Sequence, residues 1–348
     1  MKPITKTYLL LFTCLFLLAA CQKEEDVPAP YTETVQLIIS VPASASTRIG
    51  DPGTAVDEGA CWNQLAVILA YTDNSKVKTT TITQAEFNAL PSYNGNTNYK
   101  LLAIDAEPGE VYIYGVTYSS DAAQNPELDI KACTNNDAVQ ALTISNDYTK
   151  PIDGTTIDYA KFVSVATGYY KGDRTDNQPA VFNIQQGGTG EMGKIPTMTL
   201  TRLAAKIDIQ WDAADAYEAG YTDVKVTGFK YNGTAQGRLF PDLSTSNYSP
   251  TTATKEFYNT SEISQRNGRV YHYTFPDGEI DKTTSTTTPN VTFNITAKKS
   301  GATIPDDGYT YTLNFQEALK QATWYKVNAT IKGITGDGNI TFGDNSGT

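Results

Sequence analysis

The chain has 348 residues, a formal net charge of −11 and a single histidine. An acidic protein is repelled by phosphate backbones and by anionic membrane surfaces, so the charge argues against nucleic acid and such membranes as partners. Four cysteines and one histidine at these positions do not form a recognisable metal-binding motif. No Gly-x-Ser-x-Gly nucleophile motif occurs either. We therefore predict that the protein is not an enzyme and has no catalytic residue, metal or cofactor.

A signal peptide is predicted for residues 1–20. Lys2 and Lys6 precede an apolar run over residues 8–20. That run is shorter than the roughly 20 residues that span a bilayer, but it is typical of the core of a signal peptide. It ends in Leu-Ala-Ala-Cys at Cys21, and small residues before a cysteine are what lipoprotein signal peptidase requires. The sequence therefore predicts that Cys21 is lipidated and that lipid attaches the protein to the outer membrane.

A first strand is predicted for residues 34–41. Residues 22–26 are polar or acidic, and prolines at 28 and 30 predict a stiff tether before the strand. The strand places every second residue on one face of a pleated sheet. We expect the apolar set Val35, Leu37, Ile39 and Val41 to face inward, and Gln36, Ile38 and Ser40 to face outward.

The rest of the chain also shows the alternation of strands, with spacers rich in Gly, Asn, Asp and Pro. The predicted strands cover residues 65–71, 111–118, 203–211, 224–226, 291–295, 309–315 and 325–331. Predicted helices are few, at residues 83–90, 212–219 and 315–322. Many short strands separated by turn signals favour an all-β fold of sandwich type.

Two domains are predicted from a glycine-rich break at residues 185–191 and the strong strand that begins near residue 202. We place the boundary near residue 198. An N-terminal β-sandwich would then cover residues 49–198, and a C-terminal β-sandwich would cover residues 199–348.

Few residues suggest chemistry. Cys61 and Cys133 are the only cysteines outside the signal peptide and the lipidation site. They could form a disulfide in an oxidising envelope, or remain two separate thiols. His272 lies in a predicted strand without the context of a catalytic histidine. The acidic residues at 212, 215 and 218, and the run at 336–339, do not have the spacing of a calcium loop.

Four segments, in this order, resemble the fimbrillin or type V pilin family of Bacteroidales. They are the lipidation motif with its acidic follower, the strand at 34–41 followed by Thr47-Arg48, the run at 200–208, and the late strand at 325–333. The acidic follower is also similar to the surface-export signal of Bacteroidetes lipoproteins. The resemblance implies two tandem transthyretin-like (Ig-like) β-sandwiches and cleavage by an arginine-specific protease between Arg48 and Ile49.

That cleavage would remove residues 21–48 as a lipidated pro-segment carrying a removable strand. The resemblance further implies that another pilin subunit donates a strand into the N-terminal domain, so that an outer-membrane lipoprotein precursor becomes part of a fimbrium. Residues 334–348 are rich in Gly, Asp and Asn and would donate poorly. We therefore expect a tip or accessory subunit, which could contact host or bacterial surface ligands.

Two other functions stay open. One is a glycan-binding surface lipoprotein of a nutrient-uptake system, for which exposed aromatic side chains would form a sugar platform. The three tryptophans, Trp62, Trp211 and Trp324, are the candidates, and Trp211 falls on the inward face of its predicted strand. The other is an enzyme that uses a pair of carboxylates, although nothing in the sequence singles out such a pair.

Overall fold

The computed structural model describes residues 33–40, 62–120, 126–145, 165–185, 195–234, 236–241, 243, 252–256, 267–275, 290–315, 319–334 and 339–341. Most of these residues lie in strands, which confirms the predicted all-β class. In chain order the strands are β1 (Glu33–Ser40), β2 (Gln64–Tyr71), β3 (Val77–Thr83), β4 (Ser92–Tyr93), β5 (Asn96–Ala106), β6 (Gly109–Tyr118), β7 (Thr143–Ser145), β8 (Ala166–Tyr169), β9 (Phe182–Ile184), β10 (Thr197–Thr199), β11 (Thr201–Arg202), β12 (Ala205–Asp212), β13 (Thr222–Thr234), β14 (Gln236–Arg238), β15 (Thr252–Glu256), β16 (Asn267–Thr274), β17 (Asn290–Lys298), β18 (Tyr309–Asn314), β19 (Trp324–Thr330) and β20 (Asn339–Thr341).

The helices among these residues are short: α1 (Gln84–Ala89), α2 (Glu127–Ala132), α3 (Asn136–Gln140) and α4 (Ala214–Glu218). The sequence predicted α1 and α4 but missed α2 and α3, which have too few turns to show a helical period. Helix α1 begins after Thr83, whose side chain and that of Glu86 form a capping box. The predicted helix at 315–322 is not present over the described residues 319–322, because Ala322 has a φ of 54°, which a right-handed helix does not accommodate.

Two sheets are built from the N-terminal part of the chain. One has the strand order β10-β1-β5-β4, and the other has the order β11-β8-β6-β2-β3, with β9 also paired to β6. Strand β2 is buried along almost its whole length because it lies between β3 and β6 and is covered on both faces. A core cluster that includes Leu65, Leu102, Ile104, Met198 and Leu200 draws residues from both sheets.

Two further sheets are built from the C-terminal part, with the orders β16-β12-β19 and β15-β13-β17-β18-β20. Their inner faces enclose a second core. Its centre is a row of aromatic rings in which Trp211, Phe229, Phe293 and Tyr311 follow one another with centroid distances of 5.6, 5.3 and 5.9 Å. Rings at such separations add to the stabilisation that burial alone provides.

A third core cluster joins the two parts. It contains Tyr114 and Tyr169 from the N-terminal sheets together with Leu239, Phe240 and Tyr273 from later in the chain. Strand β14 also pairs antiparallel with β7, although 91 residues separate Ser145 from Gln236. The predicted boundary near residue 198 falls inside β10, and the sheet partners change between β11, which pairs with β8, and β12, which pairs with β16 and β19.

Candidate functional site

Strand β1 lies inside a sheet, with a hydrogen-bonded strand on each side. On one side it runs antiparallel to β5, in a register from Glu33 opposite Ala106 to Ile39 opposite Lys100. On the other side it runs parallel to β10, with Ile39 opposite Met198. Two backbone hydrogen bonds extend this second ladder: the N–H of Ile38 donates to the carbonyl of Pro196 at 2.9 Å, and the N–H of Leu200 donates to the carbonyl of Ser40 at 2.8 Å.

The two isoleucines of β1 are buried on opposite faces of the sheet. Ile39 is fully buried and belongs to the N-terminal core cluster, as its predicted inward position requires. Ile38 lies on the opposite face, as the alternation predicts, but it is only 3% exposed, so that face is covered there and not open to solvent. Gln36, which shares the face of Ile38, is exposed. The sheet is therefore covered on both faces at the end of β1 near Ser40 but open on one face near Gln36.

Loss of β1 would leave a slot in this sheet. The ladder groups of β5 and β10 that now face β1 would lack partners, and Leu102, Ile104 and Met198 would lose Ile39 from their shared cluster. Unpaired ladder groups beside an apolar surface form an edge to which another extended segment can pair. We call this slot the β1 groove.

Several residues predicted from the sequence lie outside the described part of the chain. These are the lipidation site Cys21, the cleavage site Arg48–Ile49, and Cys61. Cys133 lies within the described residues, where its Sγ donates to the carbonyl of Asp129 at 3.3 Å. Burial raises the pKa of the Cys133 thiol, and the negative charge of Asp129 raises it further. Bonding between Cys61 and Cys133 stays a prediction, which a thiol count on the unreduced, denatured mature protein would test.

The tryptophans do not form one exposed platform. Trp62 is buried against Phe87 with a ring separation of 5.7 Å, and Trp211 is buried in the C-terminal core, as its register predicted. Trp324 is half-buried, and its indole N–H donates to Asp208 at 2.9 Å. His272 lies in β16 opposite Ile207.

A buried charge network on β12 was not predicted. The alternation placed Lys206 and Asp208 on the outward face, yet both are fully buried. The carboxylate of Asp208 accepts hydrogen bonds from Nε and Nη2 of Arg269 at 2.8 and 2.6 Å, in addition to the Trp324 bond. The ammonium group of Lys206 lies 5.3 Å from the ring centre of Tyr273 and 5.6 Å from that of Trp324.

The network has the features of a structural element. The Asp208 carboxylate accepts hydrogen bonds from three donors, which offsets the cost of removing its charge from water.

Among the described residues, no group of three or more His, Cys, Asp or Glu side chains could hold a metal ion. No helix within the same residues is long and apolar enough to cross a membrane.

No protein-family model matches this sequence, and no curated protein matches it. Solved structures do share its fold. One is described as a "putative cell adhesion protein" from Parabacteroides distasonis ATCC 8503, with a TM-score of 0.52 and 11% identity over 90% of this chain and 94% of that chain. Another, described in the same words, is from Bacteroides eggerthii DSM 20697, with a TM-score of 0.51 and 16% identity over 90% and 93% of the two chains.

A weaker similarity, with a TM-score of 0.45 and 10% identity, relates 86% of the chain to 94% of the tip fimbrial protein Mfa3 from Porphyromonas gingivalis. The structures from Parabacteroides and Bacteroides have TM-scores above 0.5 and cover nine-tenths of the chain. The resemblance that the sequence motifs indicated is therefore confirmed at the level of the fold: the chain has the fold of the two proteins described as putative cell adhesion proteins.

Proposed function

We propose that the protein is a subunit of a surface fimbrium, assembled by exchange of a strand in the β1 groove. The observation that carries the proposal is the position of β1. It belongs to a segment that the sequence predicts to be removable, yet it lies between β5 and β10 and places Ile38 and Ile39 in buried positions. A strand in that position cannot be removed without a replacement, because the groove would expose apolar side chains and unpaired backbone groups.

The proposed route begins with cleavage after Arg48. The new N-terminus would be Ile49, and residues 21–48 would be released together with the lipid on Cys21. A strand from another subunit would then enter the groove, supplying backbone hydrogen bonds to β5 and β10 and apolar side chains in place of the isoleucines. Contacts of this head-to-tail kind do not close on themselves, and so they build a filament.

Burial gives the scale of the driving force. A fully buried isoleucine is worth about 1.5–3 kcal/mol, so the two isoleucines of β1 correspond to about 3–6 kcal/mol before ordering losses. A donor strand that places apolar residues at the same positions would gain a similar amount. The ladder hydrogen bonds would set its direction and register.

Within this proposal the protein acts as a tip or accessory subunit and has no enzymatic role. Strand β20 has only three residues and already pairs with β18, and residues 334–348 contain few apolar side chains. Residues 334–348 would therefore be a poor donor strand for the groove of another subunit. The protein's own β1 groove could still accept a strand. The precursor would be an outer-membrane lipoprotein on the cell surface, and the mature form would be part of the fimbrium.

The test is carried out in the native bacterium with the wild-type protein and an Arg48→Ala variant. N-terminal sequencing of the protein recovered from purified fimbriae should give Ile49 as the first residue. The variant should stay on the cell as a lipidated monomer and be absent from fimbriae. An Arg174→Ala variant, which removes an exposed arginine far from the cleavage site, should be processed as the wild type is. Fimbriae that contain the chain uncut at Arg48 would contradict the proposal.

A further inference from the structure

A polar cleft adjoins β10, the strand that pairs with β1. Its lining includes the alternate threonines Thr197, Thr199 and Thr201 of β10 and β11, which form the threonine wall, and the turn that follows β8, which contains Tyr170 and Lys171. Phe240, Pro241 and Gln321, from later in the chain, also line it. The cleft has a volume of about 560 Å³, which falls within the range of roughly 300–1,000 Å³ found for small-molecule sites. We call it the threonine cleft.

The lining of the threonine cleft suits an uncharged ligand with many hydroxyl groups. It combines threonine hydroxyls, the amide of Gln321 and aromatic side chains with one cation, Lys171, and one anion, Asp173. The two charges balance, and the protein as a whole carries −11, so an anionic ligand is disfavoured. Hydroxyl and amide groups can both donate and accept hydrogen bonds, and the half-buried ring of Tyr170 offers an apolar surface to C–H groups. An oligosaccharide of neutral sugars has this combination of groups.

The floor of the cleft is held in place by packing. Tyr169 lies 6.4 Å from Tyr114, which in turn lies 5.0 Å from Phe240. The ammonium group of Lys171 lies 5.2 Å from the centre of the Tyr169 ring and donates to Asn177 at 3.3 Å. A floor held by packing needs little reordering when a ligand binds, which lowers the entropic cost of binding.

The threonine wall depends on β1. Within the described part of the chain, β10 is at the end of its sheet, and β1 is its ladder partner. The exposed residues Thr197 and Thr199 alternate with buried Met198, which contacts the same core as Ile39. If β1 leaves, β10 loses its ladder hydrogen bonds and is held only by its packing and by its continuation into β11, which pairs with β8. The position of the two threonines in the cleft would then be less firmly fixed.

We propose that the threonine cleft binds a neutral oligosaccharide and that binding requires a strand in the β1 groove. The requirement for a strand rests on the proposed function, whereas the sugar site itself stands on the cleft alone. The precursor, with β1 in place, binds the sugar. The cleaved subunit binds weakly while its groove is empty and binds fully once a strand fills the groove. Adhesion is thereby restricted to subunits whose groove is occupied.

The sugar site is tested on the full chain with β1 in place. Calorimetry uses neutral tri- and tetrasaccharides prepared from mannan, galactan and xylan, with oligogalacturonate as the anionic comparison. At least one neutral oligosaccharide should bind, and oligogalacturonate should not. A Thr197→Val/Thr199→Val variant keeps the shape and strand propensity of both residues and should bind at least about tenfold more weakly, because two hydroxyls are lost. The matched control is Thr97→Val, at an exposed position of β5 away from the cleft, and it should bind as the wild type does.

The dependence on a strand is tested on the protein cut after Arg48 and separated from residues 21–48. It should bind the same oligosaccharide at least about tenfold more weakly, and a synthetic peptide of residues 33–40 should restore the affinity.

If no neutral oligosaccharide binds the full chain, or if the double variant binds normally, the sugar site is wrong. If the sugar binds the cut protein equally well without the peptide, the dependence on a strand is wrong. If the peptide does not enter the cut protein, the proposed function fails while the sugar site stands.

Discussion

Ile39 of β1 lies in register opposite Met198 of β10, and both side chains are buried in the same core cluster. This pair links a segment that precedes the predicted cleavage site to a strand more than 150 residues later in the chain. With β1 in place the pair closes the sheet between β5 and β10. The proposed cut after Arg48 would remove Ile39 from this pair and leave the β1 groove open.

An Ile39→Ala substitution should destabilise the precursor. Truncating a fully buried isoleucine removes apolar contacts and leaves a cavity, at a cost of about 2–5 kcal/mol. The matched control, Gln36→Ala, changes an exposed residue of the same strand and should stay within about 0.5 kcal/mol of the wild type. Urea unfolding followed by tryptophan fluorescence measures both. Equal midpoints for the two variants would show that the burial of Ile39 contributes little.

The Asp208 network gives a second stability test. An Asp208→Asn substitution keeps the shape of the side chain but removes the charge that Arg269 and Trp324 contact. Breaking a buried pair of this kind should cost about 3–5 kcal/mol. Asp223→Asn removes the exposed ion pair with Lys298 and should leave the unfolding midpoint almost unchanged. A small effect at Asp208 would show that water reaches its carboxylate.

A Gly168→Ala substitution should displace β10 from β8. A Cβ atom at Gly168 would lie 2.3 Å from the carbonyl oxygen of Thr199, so the backbone must shift, at a cost of about 1–3 kcal/mol. The same shift should weaken oligosaccharide binding in the threonine cleft. At Gly333 the nearest atom would be 3.9 Å away, and Gly333→Ala should change neither property. Unfolding and calorimetry on both variants provide the check, and wild-type behaviour of Gly168→Ala would refute the close contact.

Lipidation is tested at Cys21. A Cys21→Ala variant should lose metabolic labelling with a palmitate analogue and should not reach the cell surface, because the cysteine after Leu-Ala-Ala is the predicted acceptor. Cys14→Ala, within the predicted signal peptide, is the control and should be labelled as the wild type is. Unchanged labelling of Cys21→Ala would mean that the lipidation motif had been misinterpreted.

Local patterns predicted the strands but not the long-range contacts. The alternation around Ile207 and Ile209 located β12 and its inward face, since both side chains are in the C-terminal core. It also placed Asp208 outward, because the sequence does not show that Arg269 and Trp324, 61 and 116 residues later, cover the other face.

The same holds for β1. The inward orientation of Ile39 could be predicted from the alternation of apolar residues along the strand. The burial of Ile38 depends on what covers the second face of the sheet, which the alternation does not show. The threonine cleft had no signal in the sequence. Its lining residues meet only because β10 leads into β11, which pairs with β8, and because Phe240 comes from the later part of the chain.

The most direct test of the strand-exchange function is calorimetry on the protein cut after Arg48, titrated with a peptide of residues 33–40. We expect one peptide to bind per subunit with a measurable, saturable affinity, because two buried isoleucines and two ladders are regained. A peptide with aspartate in place of both isoleucines should not bind. If the isoleucine peptide also fails to bind, or if both peptides bind alike, the β1 groove does not accept a strand and the account is contradicted.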